Sequence, residues 1–271
     1  VSDTPHSALK WVMRCGYAAR GIIYFLIGGL AFWASFSSMS SSGTEDTLSA
    51  LRAQPMGVPA LWAIGLGLMA YLVWRVTAGI ADVEDHGTGP KGLIARGGQI
   101  VTGLIHGGIG LSVIGLAYAG SDQGGSAAQD WTARLMAMPA GRYLVALAAV
   151  ILVGAGIYYM QKGWRGSYKS HLARSQFTQK VDPVLTAGLI IYGLMLALVA
   201  LSLGFAALNA DPSQAGGLGQ ALDQLRSAYL GRFLLAGAGL GLVAFALYNM
   251  VEACWRVVPK LSAPDIRTLA S

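Results

Sequence analysis

RCGYAARGIIYFLIGG at residues 14–29, RGGQIVTGLIHGGIGL at 96–111 and VDPVLTAGLIIYGLML at 181–196 are three versions of one apolar, glycine-studded segment. Arg14 aligns with Arg96, Gly16 with Gly98, and Gly21 with Gly103; in the third copy Gly188 takes the place of Gly21 and Gly103. The offsets are 82 and 167 residues. One unit is therefore about 84 residues long, and a fixed period of that kind indicates a repeat architecture.

The stretches between these segments repeat as well. LSALRAQPMGVPALWAIG from Leu48, WTARLMAMPAGRYLVALA from Trp131 and LDQLRSAYLGRFLLAGAG from Leu222 each carry an arginine, then a glycine five to seven residues later, then an apolar run. Each run reaches a small residue with a tyrosine four positions on: Gly67 and Tyr71, Gly154 and Tyr158, Ala244 and Tyr248. Residues i and i+4 share one helix face. Six runs are long enough to cross a hydrocarbon core, which takes about 20 mostly apolar residues. They are residues 17–37, 58–80, 98–119, 142–161, 184–207 and 231–252. Composition agrees: of 271 residues 54% are hydrophobic and 12% charged, and the mean hydropathy is +0.53. Soluble domains carry about 25% charged residues.

The runs do not alternate as barrel strands do, so helices are expected. The first run, behind Lys10, Arg14 and Arg20, lacks a small-residue cleavage pattern and reads as a retained helix. The expected fold is an all-α polytopic membrane protein in one domain over 1–271, with repeats at about 9–82, 91–166 and 178–258. Each repeat is two spans joined by a connector with a short amphipathic helix, near 44–54, 128–137 and 218–228. Two spans per unit keep the units parallel, which implies pseudo-threefold symmetry about the membrane normal.

Fourteen of the nineteen Lys and Arg residues fall on the side of the termini, among them Lys162, Lys260 and Arg267. The positive-inside rule then places both termini in the cytoplasm. The strongest topogenic element is QKGWRGSYKSHLARSQFTQK, residues 161–180, which also suits anionic headgroups. Cys15 and Cys254 are too few for a disulfide framework and read as reduced thiols.

The R-x-G-Y-x-A-R-G-x-x-Y opening at Arg14–Tyr24 and the L-x-x-L-R…G-R-x-L-L entry to the even spans resemble a bacterial six-helix membrane family. That family is built from three two-helix repeats and is a domain-of-unknown-function family. The resemblance covers essentially the whole chain and extends to YNMVEACWR at 248–256. It implies the fold and an inner-membrane location, and no catalytic residues. Gln99, His106 and Val181 depart from the pattern.

His106 aligns with Tyr24 and Ile191, so the position takes a ring or an aliphatic chain and reads first as a packed, hydrogen-bonded histidine. As an intramembrane ionisable group it is also the weak candidate for a pigment or haem. A second axial ligand is missing, because His6, His86 and His171 lie outside the spans. ADVEDHG, 81–87, gathers Asp82, Glu84, Asp85 and His86 and reads as a solvated loop before a metal site. Arg75, Lys162 and Glu252 each follow a repeat tyrosine by four residues. They read as interfacial anchors or, with Tyr71, Tyr158 and Tyr248, as a ring around a path. Glu252 is placed to pair with Arg256 at i+4.

Gly103 and Gly107 form a G-x-x-x-G, one of several small faces fit for close helix contact. No P-loop, dinucleotide fingerprint, HExxH, CxxC or nucleophile–base pair occurs. The leading expectation is a non-enzymatic accessory or structural subunit of a larger respiratory or light-harvesting complex, in contact with membrane lipids, without cofactor or nucleic acid. The alternative is a small-solute or ion transporter with its path along the threefold axis.

Overall fold

The computed structural model describes residues 4–36, 44–119, 127–258 and 268–269, though not the side chains of residues 4–6, 44–46 and 127. Lys260 and Arg267, expected on the side of the termini, lie outside the described residues, as does the His6 side chain. Among the described residues the chain folds into α1 (Thr4–Ala34), α2 (Thr44–Arg52), α3 (Gly57–Ala81), α4 (Pro90–Ala119), α5 (Ala127–Met136), α6 (Gly141–Trp164), α7 (Gln176–Asn209), α8 (Leu218–Ser227) and α9 (Gly231–Trp255). Six of these, α1, α3, α4, α6, α7 and α9, are long and apolar enough to span a bilayer. The short helices α2, α5 and α8 fill the three connectors.

Each connector ends in the same tight entry. Met56, Ala140 and Leu230 hold φ values of 66°, 61° and 62° immediately before the first residue of an even span. That first residue is Gly57, Gly141 or Gly231. A methyl group there would sit 2.0, 1.7 or 1.8 Å from the carbonyl oxygen of Leu51, Leu135 or Arg226. Glycine is required by this close approach, which explains the arginine-to-glycine spacing in the sequence. At α7, Ser175 and Thr178 form a reciprocal capping box, with Thr178 N donating to Ser175 Oγ at 3.0 Å and Ser175 N donating to Thr178 Oγ1 at 2.9 Å.

The entry glycines fix the true repeat register. Trp74, Tyr158 and Tyr248 stand at equivalent positions, seventeen residues after them, and Arg75, Tyr159 and Asn249 follow. The expected match of Gly67–Tyr71 to the other two pairs is therefore one turn out. The odd spans correct themselves the same way. A Cβ on Gly21 would meet the Ala246 carbonyl at 3.1 Å, one on Gly103 the Leu72 carbonyl at 3.4 Å, and one on Gly193 the Gly156 carbonyl at 2.6 Å. Leu72, Gly156 and Ala246 are equivalent, so Gly193, and not Gly188, is the third counterpart. His106 then corresponds to Tyr24 and Leu196, and Arg20 to Thr102 and Tyr192.

The long helices follow one another around a ring in the order α1, α3, α4, α6, α7, α9. The tightest pairs join different repeats: α3 on α4, α6 on α7, and α9 back on α1. Backbones touch in these seams through Gly65 with Gly110, Gly156 with Gly193, and Gly28 with Gly239. Small residues are the means of close helix association where lipid is as apolar as the side chains. Within repeats, α1 packs on α3 and α7 on α9, but α4 and α6 barely approach each other. The pseudo-threefold ring is thus open at one of its six seams.

Candidate functional site

The ring has two interior halves. On the connector side the packing is apolar, with Ile27, Ala31, Leu61, Leu68, Val113 and Leu235 buried. On the side that carries the termini it is polar, and the two halves meet at Arg20.

Arg20 projects from α1 to the centre and is 2% exposed. Its Nε donates to His106 Nε2 at 3.0 Å, Nη1 to the Tyr71 hydroxyl at 3.0 Å, and Nη2 to the hydroxyls of Tyr192 at 3.2 Å and Tyr159 at 3.4 Å. Tyr24 and Tyr192 share a hydroxyl hydrogen bond at 3.1 Å. The guanidinium carbon lies 5.0 Å from the Phe245 ring centre, within cation–π range. All six long helices therefore contribute a side chain to one cluster around this guanidinium. No carboxylate among the described residues pairs with Arg20.

His106 occupies this cluster with both nitrogens engaged. A carbonyl only accepts, so Nδ1 donates to Thr102 O at 2.9 Å and Nε2 is the acceptor for Arg20. In this arrangement no lone pair is left for an axial bond to a haem or pigment iron or magnesium. The histidine orients the arginine.

A second network closes the termini side. Arg256 donates to Glu84 Oε1 at 2.7 Å and to Glu252, and Glu252 also accepts from the Tyr248 hydroxyl. Gln99 Nε2 donates to Glu84 Oε2 at 2.8 Å and lies 3.0 Å from His86 Nε2. Burial pushes the Glu84 carboxyl up, but the Arg256 guanidinium, the neighbouring His86 ring and the Arg75 charge outweigh it and hold it well below the usual carboxylate range. The ADVEDHG segment is therefore only partly solvated: Asp85 is exposed, but Glu84 is buried, and Asp82 accepts from the backbone N–H of His86 and Gly87 at 2.8 and 2.9 Å. No group of side chains among the described residues is arranged to hold a metal ion.

Between the two networks lie Arg75 and Lys162. Arg75 stands 5.7 Å from the Tyr71 ring centre, and its buried Nε has no partner. The Lys162 ammonium is 5.4 Å from the Tyr248 ring and 5.9 Å from the Tyr158 ring. Neither cation has a hydrogen bond or ion pair to a described residue. Arg20, Arg75 and Lys162 all lie close enough to Tyr159 for their charges to act on its hydroxyl.

The expected ring of Arg75, Lys162 and Glu252 is thus split. Glu252 belongs to the Arg256 network, Arg75 lies by the Tyr71 ring, and Lys162 lies between the Tyr158 and Tyr248 rings. Tyr71 and Tyr248 are buried, whereas Tyr158 is 57% exposed and Tyr159 takes the inward place. Sequence reasoning missed Arg20 and Tyr159. The available signal was the spacing of Tyr17, Arg20 and Tyr24, which puts all three on one face of α1.

A family model described as a Domain of Unknown Function (DUF1206) matches three times, at residues 15–82, 97–166 and 187–256. These limits carry the same register as the glycine contacts. The chain is similar to YxxB of Bacillus subtilis (strain 168), described as an uncharacterized protein, at 27% identity over 252 residues, which is 92% of this chain and 91% of that protein. No solved structure matches.

Proposed function

The chain belongs to the DUF1206 family of three-repeat proteins, and on that footing we propose that it is a membrane-embedded binder and carrier of small anions. The observation that supports this is a charge imbalance. Among the described residues Arg20, Arg75, Lys162 and Arg256 meet only two carboxylates, Glu84 and Glu252, and both are engaged by Arg256. The net excess is two positive charges, carried by a buried Arg20 and by half-buried Arg75 and Lys162, and desolvating an unpaired ion carries a free-energy cost. An anion beside Tyr159 offsets that cost, with Arg75 and Lys162 as the available donors and Arg20 held behind them by His106 and the tyrosines. The apolar connector half seals the far side. The Arg256 network closes the termini side, so binding and release across the membrane each require the ring to rearrange. The excess of Lys and Arg on that side supports a cytoplasmic-membrane orientation with both termini inside. The proposal contains no catalytic step.

The test is thermal unfolding of the purified protein against inorganic phosphate, sulfate and chloride at constant ionic strength. A ligand at 100 times its Kd stabilises by about 2.7 kcal/mol. The wild type shows a saturable rise in midpoint, and Arg75→Gln and Lys162→Gln lose it. An equal response in wild type and variants reduces the effect to surface screening and overturns the proposal. Uptake of the stabilising anion into proteoliposomes then separates a carrier from a static binder.

The accessory-subunit reading stands second, favoured by open glycines. Gly97, Gly108 and Gly115 share one stripe of α4, and a methyl group on any of them meets nothing within 4 Å. Recovery of a stoichiometric partner from native membranes in mild detergent favours that reading.

A further inference from the structure

The open seam between α4 and α6 breaks a pattern that the other two repeats keep. Gly16, Gly98 and Gly188 are equivalent. A Cβ on Gly16 would lie 2.6 Å from Tyr71 Cα, and one on Gly188 would lie 2.5 Å from the Ala244 carbonyl carbon, each on the even span of its own repeat. Gly98 meets nothing within 4 Å. Its counterpart contact is Ala155 of α6, the equivalent of Tyr71 and Phe245. The second repeat thus keeps the glycine of a tight seam without making the seam.

Helical periodicity says what lines the opening. On α4, Gly103, Gly107 and Gly110 face α3, and His106 faces the centre; the next face round carries Ile105 and Ile109. On α6, Gly156 and Gly163 face α7, and Tyr159 faces the centre; the next face carries Ile151, Ala155, Tyr158 and Lys162. The walls are apolar over most of their height and cationic at one end. Ile105, Ile151 and Tyr158 are exposed, as side chains beside an open slot are. Behind the slot stand His106 and Tyr159, joined through Arg20.

We propose that this slot is a lateral entrance from the bilayer, and that the anion it admits is the carboxylate of a long-chain fatty acid. This assignment rests on the anion-binding reading above and adds the substrate class and the route. An acyl chain matches the apolar walls, and its carboxylate matches Lys162 at the slot's edge and Arg75 behind it. A freely soluble ion needs no opening toward lipid. Closure of α4 onto α6, with Gly98 against Ala155 as Gly16 lies against Tyr71, shuts the entrance behind the ligand.

The experiment uses the full chain in phosphatidylcholine nanodiscs, with Cys15→Ala and Cys254→Ala, and the pair Gly98→Cys with Ala155→Cys. The probes are oleate, methyl oleate and inorganic phosphate. Oleate is expected to bind at least about tenfold more tightly than methyl oleate. Oxidising the pair is expected to weaken oleate binding by a similar factor and reduction to restore it, with phosphate binding unchanged. If the pair does not oxidise, Ile151→Trp fills the slot by bulk and is expected to weaken oleate binding in the same way. Equal binding of oleate and its ester, or oleate binding indifferent to both the closed pair and Ile151→Trp, overturns the lateral route. Arg75-dependent phosphate binding without oleate binding overturns the fatty-acid proposal and leaves the anion site standing. Absence of binding by either anion removes both.

Discussion

Arg256 and Arg20 are two buried arginines with opposite surroundings. Arg256 sits between Glu84 and Glu252 and is neutralised twice. Arg20 sits among His106, Tyr71, Tyr159 and Tyr192, which satisfy its donors without cancelling its charge. The first arrangement holds the ends of α3 and α9 together; the second keeps a positive potential at the centre of the ring. A hydrogen-bond count treats them as alike, and a charge count separates them.

The largest expected effect is on the neutralised side. Arg256→Met leaves two buried carboxylates unpaired, and loss of one partner from a buried pair costs about 3–5 kcal/mol. Thermal unfolding in detergent measures it. Arg20→Met leaves only neutral groups that can bond one another, and is expected to cost clearly less. Equal losses would erase the distinction.

Acid sharpens the same contrast. Glu84 is held below its unfolded value, near 4.3 for a free glutamate, so its contribution is full above that pH and is lost as pH falls through the lower folded value. The wild-type unfolding midpoint is expected to drop steeply below about pH 4, and Glu84→Gln to be less stable at neutral pH but flatter in acid. An unchanged acid slope in the variant contradicts the role given to Glu84.

Tyr159 and Tyr158 give the smaller test. Tyr159→Phe removes a hydrogen bond from a charged group, worth about 1.5–3 kcal/mol, and is expected to change anion affinity as well. Tyr158→Phe changes an exposed side chain and is expected to stay within about 0.5 kcal/mol of wild type. Similar results for both would return the inward position to Tyr158.

The spans, their repetition and the short connector helices were legible because hydrophobic length and glycine spacing are local properties. Register was not. Gly188 and Gly193 both sit in apolar runs, and only the Gly156 carbonyl of the neighbouring helix selects Gly193. Arg20 was counted with Arg14 as a topogenic charge because a cation near a helix end ordinarily snorkels to the interface. What turns it inward is the set of tyrosines on α3, α6 and α7, more than fifty residues away in the chain. The open seam was equally hidden, since Gly98 reads like Gly16 until the partner helix is seen to be absent.

The central claim is that the excess positive charge inside the ring recruits an anion. Bromide-soaked crystals of the wild type and of Arg75→Gln, measured at the bromine edge, test it most directly. An anomalous peak is expected beside Tyr159, between Arg75 and Lys162, and is expected to disappear in the variant. Peaks confined to the outer surface, or an interior peak indifferent to Arg75, would contradict it.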